Sequence, residues 1–236
     1  MQGAFLDAIG SRSRFTSYTI DQSAKTLSFE RLGGWAGGNL QLEQSEVILL
    51  IGTNPLLSHG LLGFLASDPT RRLKEARAAG LKVIVIDPRN TETAGFADVA
   101  IQPLPGRDPA ILAGLIRLIL KEGWFDREFC ARYVSEEGMK RLVQAVEPFA
   151  ERDVEKSAGL NAGDLRAVAQ LFARDCKQGA VYTGTGPSMA PTRPNIPDAP
   201  SSAPTRPPWP RSAPTKPINS CWLRRRVPVR LPSCCS

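Results

Sequence analysis

Three short polar loops hold most of the side chains that could do chemistry in this chain of 236 residues. The first is Gly52-Thr53-Asn54-Pro55. Its glycine permits close backbone approach, and Asn54 offers both a donor and an acceptor. The second, Asp87-Pro88-Arg89-Asn90-Thr91-Glu92-Thr93, opens with an acid that Pro88 fixes in place. A carboxylate there accepts from a ribose hydroxyl or a base edge, and Arg89 and Thr91 can donate to phosphate or carbonyl oxygen. The third is Pro105-Gly106-Arg107-Asp108. An exposed Asp108 facing a nucleotide would accept from the N1–H and N2–H₂ donors of guanine, as a carboxylate reads any pair of base donors. Each loop also has a plainer reading. The first is a strand-to-loop turn, the second a surface salt-bridge cluster, and Asp108 is a helix N-cap.

Other chemistries have less to stand on. His59 is the one histidine, so no two-histidine metal site exists, and no nucleophile elbow accompanies it. It reads as a loop or helix-start residue near a ligand rather than a catalyst. Cys130 and Cys176 fall on expected helices and read as small core residues, while Cys221, Cys234 and Cys235 lie near the C-terminus. No pair has the C-x-x-C spacing of a zinc or iron–sulfur site. The first loop is not G-x-G-x-x-G, so the standard NAD pyrophosphate turn is absent.

The elements that must position these loops are legible from periodicity. Residues 46–51 (Glu-Val-Ile-Leu-Leu-Ile) and 82–86 (Lys-Val-Ile-Val-Ile) are continuously apolar after their first residue. Such runs suit strands buried on both faces of a parallel sheet. A helix over 70–79, stopped by Gly80, joins them into a right-handed βαβ unit. A short strand follows over 99–102, and helices are expected over 108–121, 127–134, 136–146, 151–158 and 162–174. A last strand over 180–183 leads into Gly184-Thr185-Gly186. Residues 1–10 read as the end of a helix with Phe5, Leu6 and Ile9 on one face. In such sheets ligands bind at the carboxyl ends of the strands, which is where all three loops fall.

Charge and composition divide at residue 190. Residues 1–189 hold 22 Lys/Arg and 22 Asp/Glu, so the net charge of +7 resides in the remainder, with 8 Lys/Arg against one Asp. The globular part therefore carries no basic footprint for nucleic acid. Residues 190–236 contain 12 of the 20 prolines and no period that would bury a core. They read either as a native disordered basic tail or as a shifted reading frame, since Pro, Arg and Ala dominate shifted frames of GC-rich genes. The break falls just after a strand and its Gly-rich loop, where a domain should continue, which favours the second. No apolar run is long enough for a membrane span, and residues 1–10 lack a secretory signal, so a cytoplasmic protein is expected.

The three loops together resemble the molybdopterin oxidoreductases, the bis-molybdopterin guanine dinucleotide family of formate dehydrogenases, nitrate reductases and dimethyl sulfoxide reductases. The resemblance rests on Ile51-Gly52-Thr53-Asn54-Pro55 with Ser58-His59, and on Val85-Ile86-Asp87-Pro88-Arg89-x-Thr91-x-Thr93-Ala94-x-x-Ala97-Asp98. It rests also on Pro105-Gly106-Arg107-Asp108-x-Ala110-Ile111-Leu112 and on Gly184-Thr185-Gly186, in matching order and spacing. It implies that Gly52, Thr53, Asn54 and His59 line a molybdopterin guanine dinucleotide, with Asp87, Arg89 and Thr91 at its guanosine. Gly106 and Asp108 would sit at the guanine edge, and Thr183 and Gly184 would begin a later contact loop. The cofactor would carry the chemistry, and the full-length protein would have a redox partner.

Departures from the family pattern are also legible. The family's N-terminal iron–sulfur cluster has no cysteine ligands here, and no Cys stands where members supply a molybdenum ligand. Asp21 is the nearest oxygen candidate for the metal. The fold class expected is α/β, a parallel Rossmann-like sheet flanked by helices, then a disordered Pro/Arg-rich tail. Residues 1–45 would be a connector or partial preceding domain, 46–189 the cofactor-binding domain, and 190–236 the disordered or out-of-frame tail. Such a fragment is expected to be inactive alone. Two other functions stand beside this one: an NAD- or flavin-dependent enzyme with an atypical phosphate loop, and a non-enzymatic module whose basic tail binds nucleic acid.

Overall fold

The computed structural model describes residues 2–11, 13, 24, 27–28, 42–58 and 68–189. Strand β1 (Val47–Ile51) is apolar at every position because both of its faces are covered, and all five residues are buried. Val47, Leu49 and Ile51 point to one side of the sheet, and Ile48 and Leu50 to the other, as the two-residue strand period requires. Its neighbours β2 (Lys82–Ile86), β3 (Val99–Ile101) and β4 (Gly179–Thr183) complete a sheet of order β3-β2-β1-β4. Every pairing is parallel.

Helices cover both faces. Between β1 and β2 lie α2 (Pro55–Ser58) and α3 (Pro69–Ala78). They pack Leu56 and Leu73 against Ile48, Leu50, Val83 and Val85. The opposite face carries α4 (Asp108–Glu122), α7 (Glu151–Ala158) and α8 (Asp164–Ala169). Ile111, Leu115, Val154, Leu165 and Val168 from these helices pack on Leu49, Ile51, Ile84 and Ile86. Between α4 and α7 come α5 (Arg127–Tyr133) and α6 (Glu136–Val146). The first helix, α1 (Gln2–Ala8), leaves Phe5 exposed, and Ile9 just beyond it is exposed too.

Local chemistry accounts for the boundaries. Asp68 accepts from the Arg71 amide at 2.9 Å and Pro69 opens α3, one residue ahead of the expected start. The helix expected over 162–174 is two pieces. After α8 the chain widens into a π turn over Gln170–Arg174, where the Asp175 amide reaches the Gln170 carbonyl. Cys176 therefore lies in the loop before β4, not on a helix. Its half-buried side chain packs on the core, and burial pushes the thiol up from its ordinary value. Glu155 is buried and accepts from the Gly163 and Leu165 amides at 2.9 and 3.0 Å, capping α8 from α7.

Asp98 holds β2 to the turn before β3. Its amide donates to the Val83 carbonyl at 2.8 Å, and its carboxylate accepts from the Val83 amide at 2.9 Å. Burial raises the carboxyl, but the Val83 amide and the Lys82 and Arg77 charges outweigh it and leave the group below its ordinary value. Ionised Asp98 therefore stabilises the fold above the usual carboxylate range, and that stability is lost as pH falls through the lowered value.

Two predictions follow from the packing. A Cβ at Gly184 would fall on the Gly52 carbonyl oxygen, whereas one at Gly95 meets nothing within 4 Å. Gly184→Ala should destabilise by about 3 kcal/mol, the upper range for overpacking, with Gly95→Ala near neutral in denaturant unfolding. Asp98→Ala leaves the Val83 amide without its side-chain acceptor and should cost about 1–3 kcal/mol at pH 7. Unfolding curves taken at a series of pH values from 7 downwards should show the deficit shrinking as pH falls through the lowered Asp98 value, where protonation weakens the same interaction in the unsubstituted chain.

Candidate functional site at the strand ends

Parallel register puts every strand end on one line. Thr183 pairs with Ile51, Ile51 with Ile86 and Ile86 with Ile101, so the four loops leave from a single edge. With about 4.8 Å between strands, that edge is about 14 Å long. A group beyond β3 therefore cannot touch the same atom as one beyond β4. The edge divides into two ends, and the loops divide with it.

At one end, β1 meets β4. The chain order reverses here, since β2 and β3 lie on one side of β1 and β4 on the other, which is where such sheets open a crevice. Gly52 takes the left-handed conformation at φ +57°, and its amide donates to the Ile86 carbonyl at 2.8 Å. The Gly184 amide donates to the Ile51 carbonyl at 2.8 Å. A 3₁₀ turn, Gly186–Met189, then brings Pro187 over Gly52, where an added Cβ would stand 2.8 Å from the proline Cδ. These glycines let protein chain approach protein chain. Thr183 closes β4 half-buried, and Thr53 is buried.

At the other end, beyond β2 and β3, the edge is acidic. Asp87 is half-buried, with its amide on the Ile101 carbonyl and its Oδ1 accepting from the Arg89 amide at 2.9 Å. Asp108 was expected as an N-cap or an exposed carboxylate and is neither. Arg107 holds the cap position, and Asp108 is the first residue of α4, only 8% exposed. Gly106, at φ +80°, turns the chain inward just before it. Burial pushes the Asp108 carboxyl above its ordinary value, and the neighbouring Asp87 charge pushes it further. The result is a pair of acceptors at the β2 and β3 ends.

The middle of the edge is a polar clasp. Asn54 Nδ2 donates to Glu92 Oε2 at 2.5 Å, and the buried Thr93 hydroxyl donates to Asn54 Oδ1 at 2.6 Å. Thr91 is buried and accepts from the Ala94 amide at 3.1 Å, shaping its own turn. Arg89 is exposed, 3.4 Å from Glu92. Every described candidate residue thus falls on this edge, while His59 and Asp21 lie outside the described residues. The sequence placed Glu92 and Thr93 in the second loop without a role of their own, and it did not single out Pro187. Thr93 carried a signal, as a β-branched hydroxyl residue ending a polar loop; Pro187 carried none, because its contact with Gly52 is long-range. Among the described residues no cluster of His, Cys, Asp and Glu could hold a metal, and no helix is long and apolar enough to cross a membrane.

Comparison with known proteins adds the following. The family described as Molybdopterin oxidoreductase matches residues 3–198, past the composition break at 190. Formate dehydrogenase H of Escherichia coli is 29% identical over 146 residues, which is 62% of this chain and 19% of that protein. Dimethyl sulfoxide reductase DmsA of Haemophilus influenzae is 33% identical over 138 residues, or 56% of this chain and 17% of that one. Acetylene hydratase from Pelobacter acetylenicus, a solved structure, superimposes with a TM-score of 0.62 at 26% identity, covering 77% of this chain and 24% of that chain. The chain spans about a fifth of the length of the curated relatives it matches.

The buried acid makes a prediction. An Asp108 carboxyl raised in the fold stays neutral after the unfolded one has ionised, so folding is penalised as pH climbs from the unfolded towards the folded value. Asp108→Asn should therefore raise the melting temperature at pH 7, and the gain should vanish below the ordinary carboxylate range. Thermal unfolding of both chains across pH 3–8 measures this.

Proposed function

The chain belongs to the molybdopterin oxidoreductase family, and from that premise we propose that its strand-end edge holds the guanosine end of a guanine dinucleotide form of the molybdenum cofactor. The observation that carries this reading is the apposition of two carboxylates, Asp87 and the buried Asp108, at the β2 and β3 ends. Guanine presents two adjacent N–H donors and ribose presents hydroxyls, so an acceptor-rich edge fits them. Adenine offers N1 as an acceptor where guanine has N1–H, and two carboxylates disfavour it. Asp108 would take the guanine edge and Asp87 the ribose or base. Exposed Arg89 would balance phosphate, and Gly106 would set the turn that aims Asp108.

The remaining candidates serve the edge more than the ligand. Asn54 and Thr91 spend polar atoms on loop structure, and Gly52, Thr53, Thr183 and Gly184 shape the junction of β1 and β4. When bound, the cofactor supplies electron-transfer and oxygen-atom chemistry, while the chain binds and orients it. The named relatives include a formate dehydrogenase, a dimethyl sulfoxide reductase and an acetylene hydratase, so family membership alone assigns no substrate.

Calorimetric titration of the full chain with GDP, ADP and NAD tests the reading. GDP should bind and the other two should bind far more weakly. Asp108→Asn removes an acceptor and adds a donor facing guanine, and should cost about 1–3 kcal/mol, roughly ten- to hundredfold in affinity. Only ionised Asp108 accepts both donors, so GDP affinity should rise with pH through its raised value. Saturable NAD binding without GDP binding would instead favour a nicotinamide enzyme and sink this proposal.

A further inference from the structure

The loops after β1 and β2 are tied by a continuous chain of polar contacts that ends at the acidic pair. Asn54 sits at its centre. Its Nδ2 donates to Glu92 Oε2 and its Oδ1 accepts from the fully buried Thr93 hydroxyl, so both ends of the amide are held from the second loop. Glu92 also faces the Arg89 guanidinium at 3.4 Å, and the Arg89 amide donates to Asp87 Oδ1 at 2.9 Å. The chain of contacts therefore runs Thr93, Asn54, Glu92, Arg89, Asp87. The amide of Asn54 and the carboxylate of Glu92 pull from residues 38 positions apart in sequence, so the contact is not a local turn.

We propose that Glu92 and Thr93 are positioning residues for the nucleotide site. Through Asn54 they hold the Gly52–Asn54 loop and the Asp87–Arg89 turn at one fixed separation. This rests on the guanosine reading of the edge. Neither residue needs to touch the ligand. The Thr93 hydroxyl is shut away from solvent and donates to Asn54 Oδ1. Glu92 is exposed, with its carboxyl held below its ordinary value by its own backbone amide first and by Asn54 second. One carboxylate oxygen, Oε2, meets both the Asn54 amide and the Arg89 guanidinium. Bound to Asn54, it holds the arginine beside the turn.

The test uses the full chain with GDP as the probe. Thr93→Val removes the hydroxyl at nearly constant shape, Thr93→Ser restores it, and Glu92→Ala removes an exposed side chain whose loss leaves the core untouched. Glu137→Ala breaks an exposed pair with Arg141 on α6 and serves as the control. Hydrogen exchange and calorimetry are read together. Losing one bond of this kind should weaken GDP binding about tenfold in Thr93→Val and Glu92→Ala, with Thr93→Ser and Glu137→Ala close to the unsubstituted chain. Amides of residues 52–58 and 87–93 should exchange faster in the first two variants, while β1 amides keep their protection. Unchanged affinity with unchanged loop exchange would overturn the proposal. So would a loss of protection spread through β1, which would mark a general structural role. Should the unsubstituted chain not bind GDP, the guanosine reading fails, and loop exchange alone still decides whether the clasp holds.

Discussion

Burial of β1 on both faces is the constraint from which the rest of the structure follows. Five consecutive apolar residues have no exposed face, so helices must cover the sheet on both sides. At about 1.5–3 kcal/mol for each buried side chain, this one strand outweighs any single surface ion pair among the described residues, each worth about 0–1 kcal/mol. A strand so placed needs parallel neighbours and crossover helices. Parallel neighbours in even register bring all four strand ends to one line. The four loops share one edge because the core put them there.

On that edge the two ends do different work. Where β1 meets β4 the space is taken up by the chain itself, with Gly184 against Gly52 and Pro187 above it. Where β2 meets β3 the chain leaves two acids together and buries one of them. Burying a carboxyl beside another carboxylate costs stability, and folding alone gives no reason to keep it. Donors from a ligand would offset that cost, which is why the acidic end carries the functional reading.

Much of this was legible in the sequence. The runs Val47-Ile48-Leu49-Leu50-Ile51 and Val83-Ile84-Val85-Ile86 announce buried strands, and their spacing announces a crossover. The three loops were legible as a group because parallel strands must end together. Other features depend on contacts that no window of sequence contains. Asp108 looks like an N-cap locally, and only the turn at Gly106 and the approach of Asp87 make it a buried first helical residue. The 162–174 segment has helical composition, and the π turn becomes visible only once β4 fixes where the chain must arrive. Asn54 reads as a ligand contact in the sequence, and the bonds that Glu92 and Thr93 make to its amide span 38 and 39 positions. His59 and Asp21 lie outside the described residues, so their expected roles rest on the resemblance alone.

The central claim is that the acidic end of the strand-end row receives a guanine nucleotide. Mapping amide chemical-shift changes on the isotopically labelled full chain, as GDP is added, tests it most directly. The account predicts changes concentrated at residues 87–93 and 106–108, with ADP producing little at the same concentration. Changes of equal size and place with ADP, or changes confined to the groove between α4 and α6 lined by Leu120, Val143 and Val146, would contradict it.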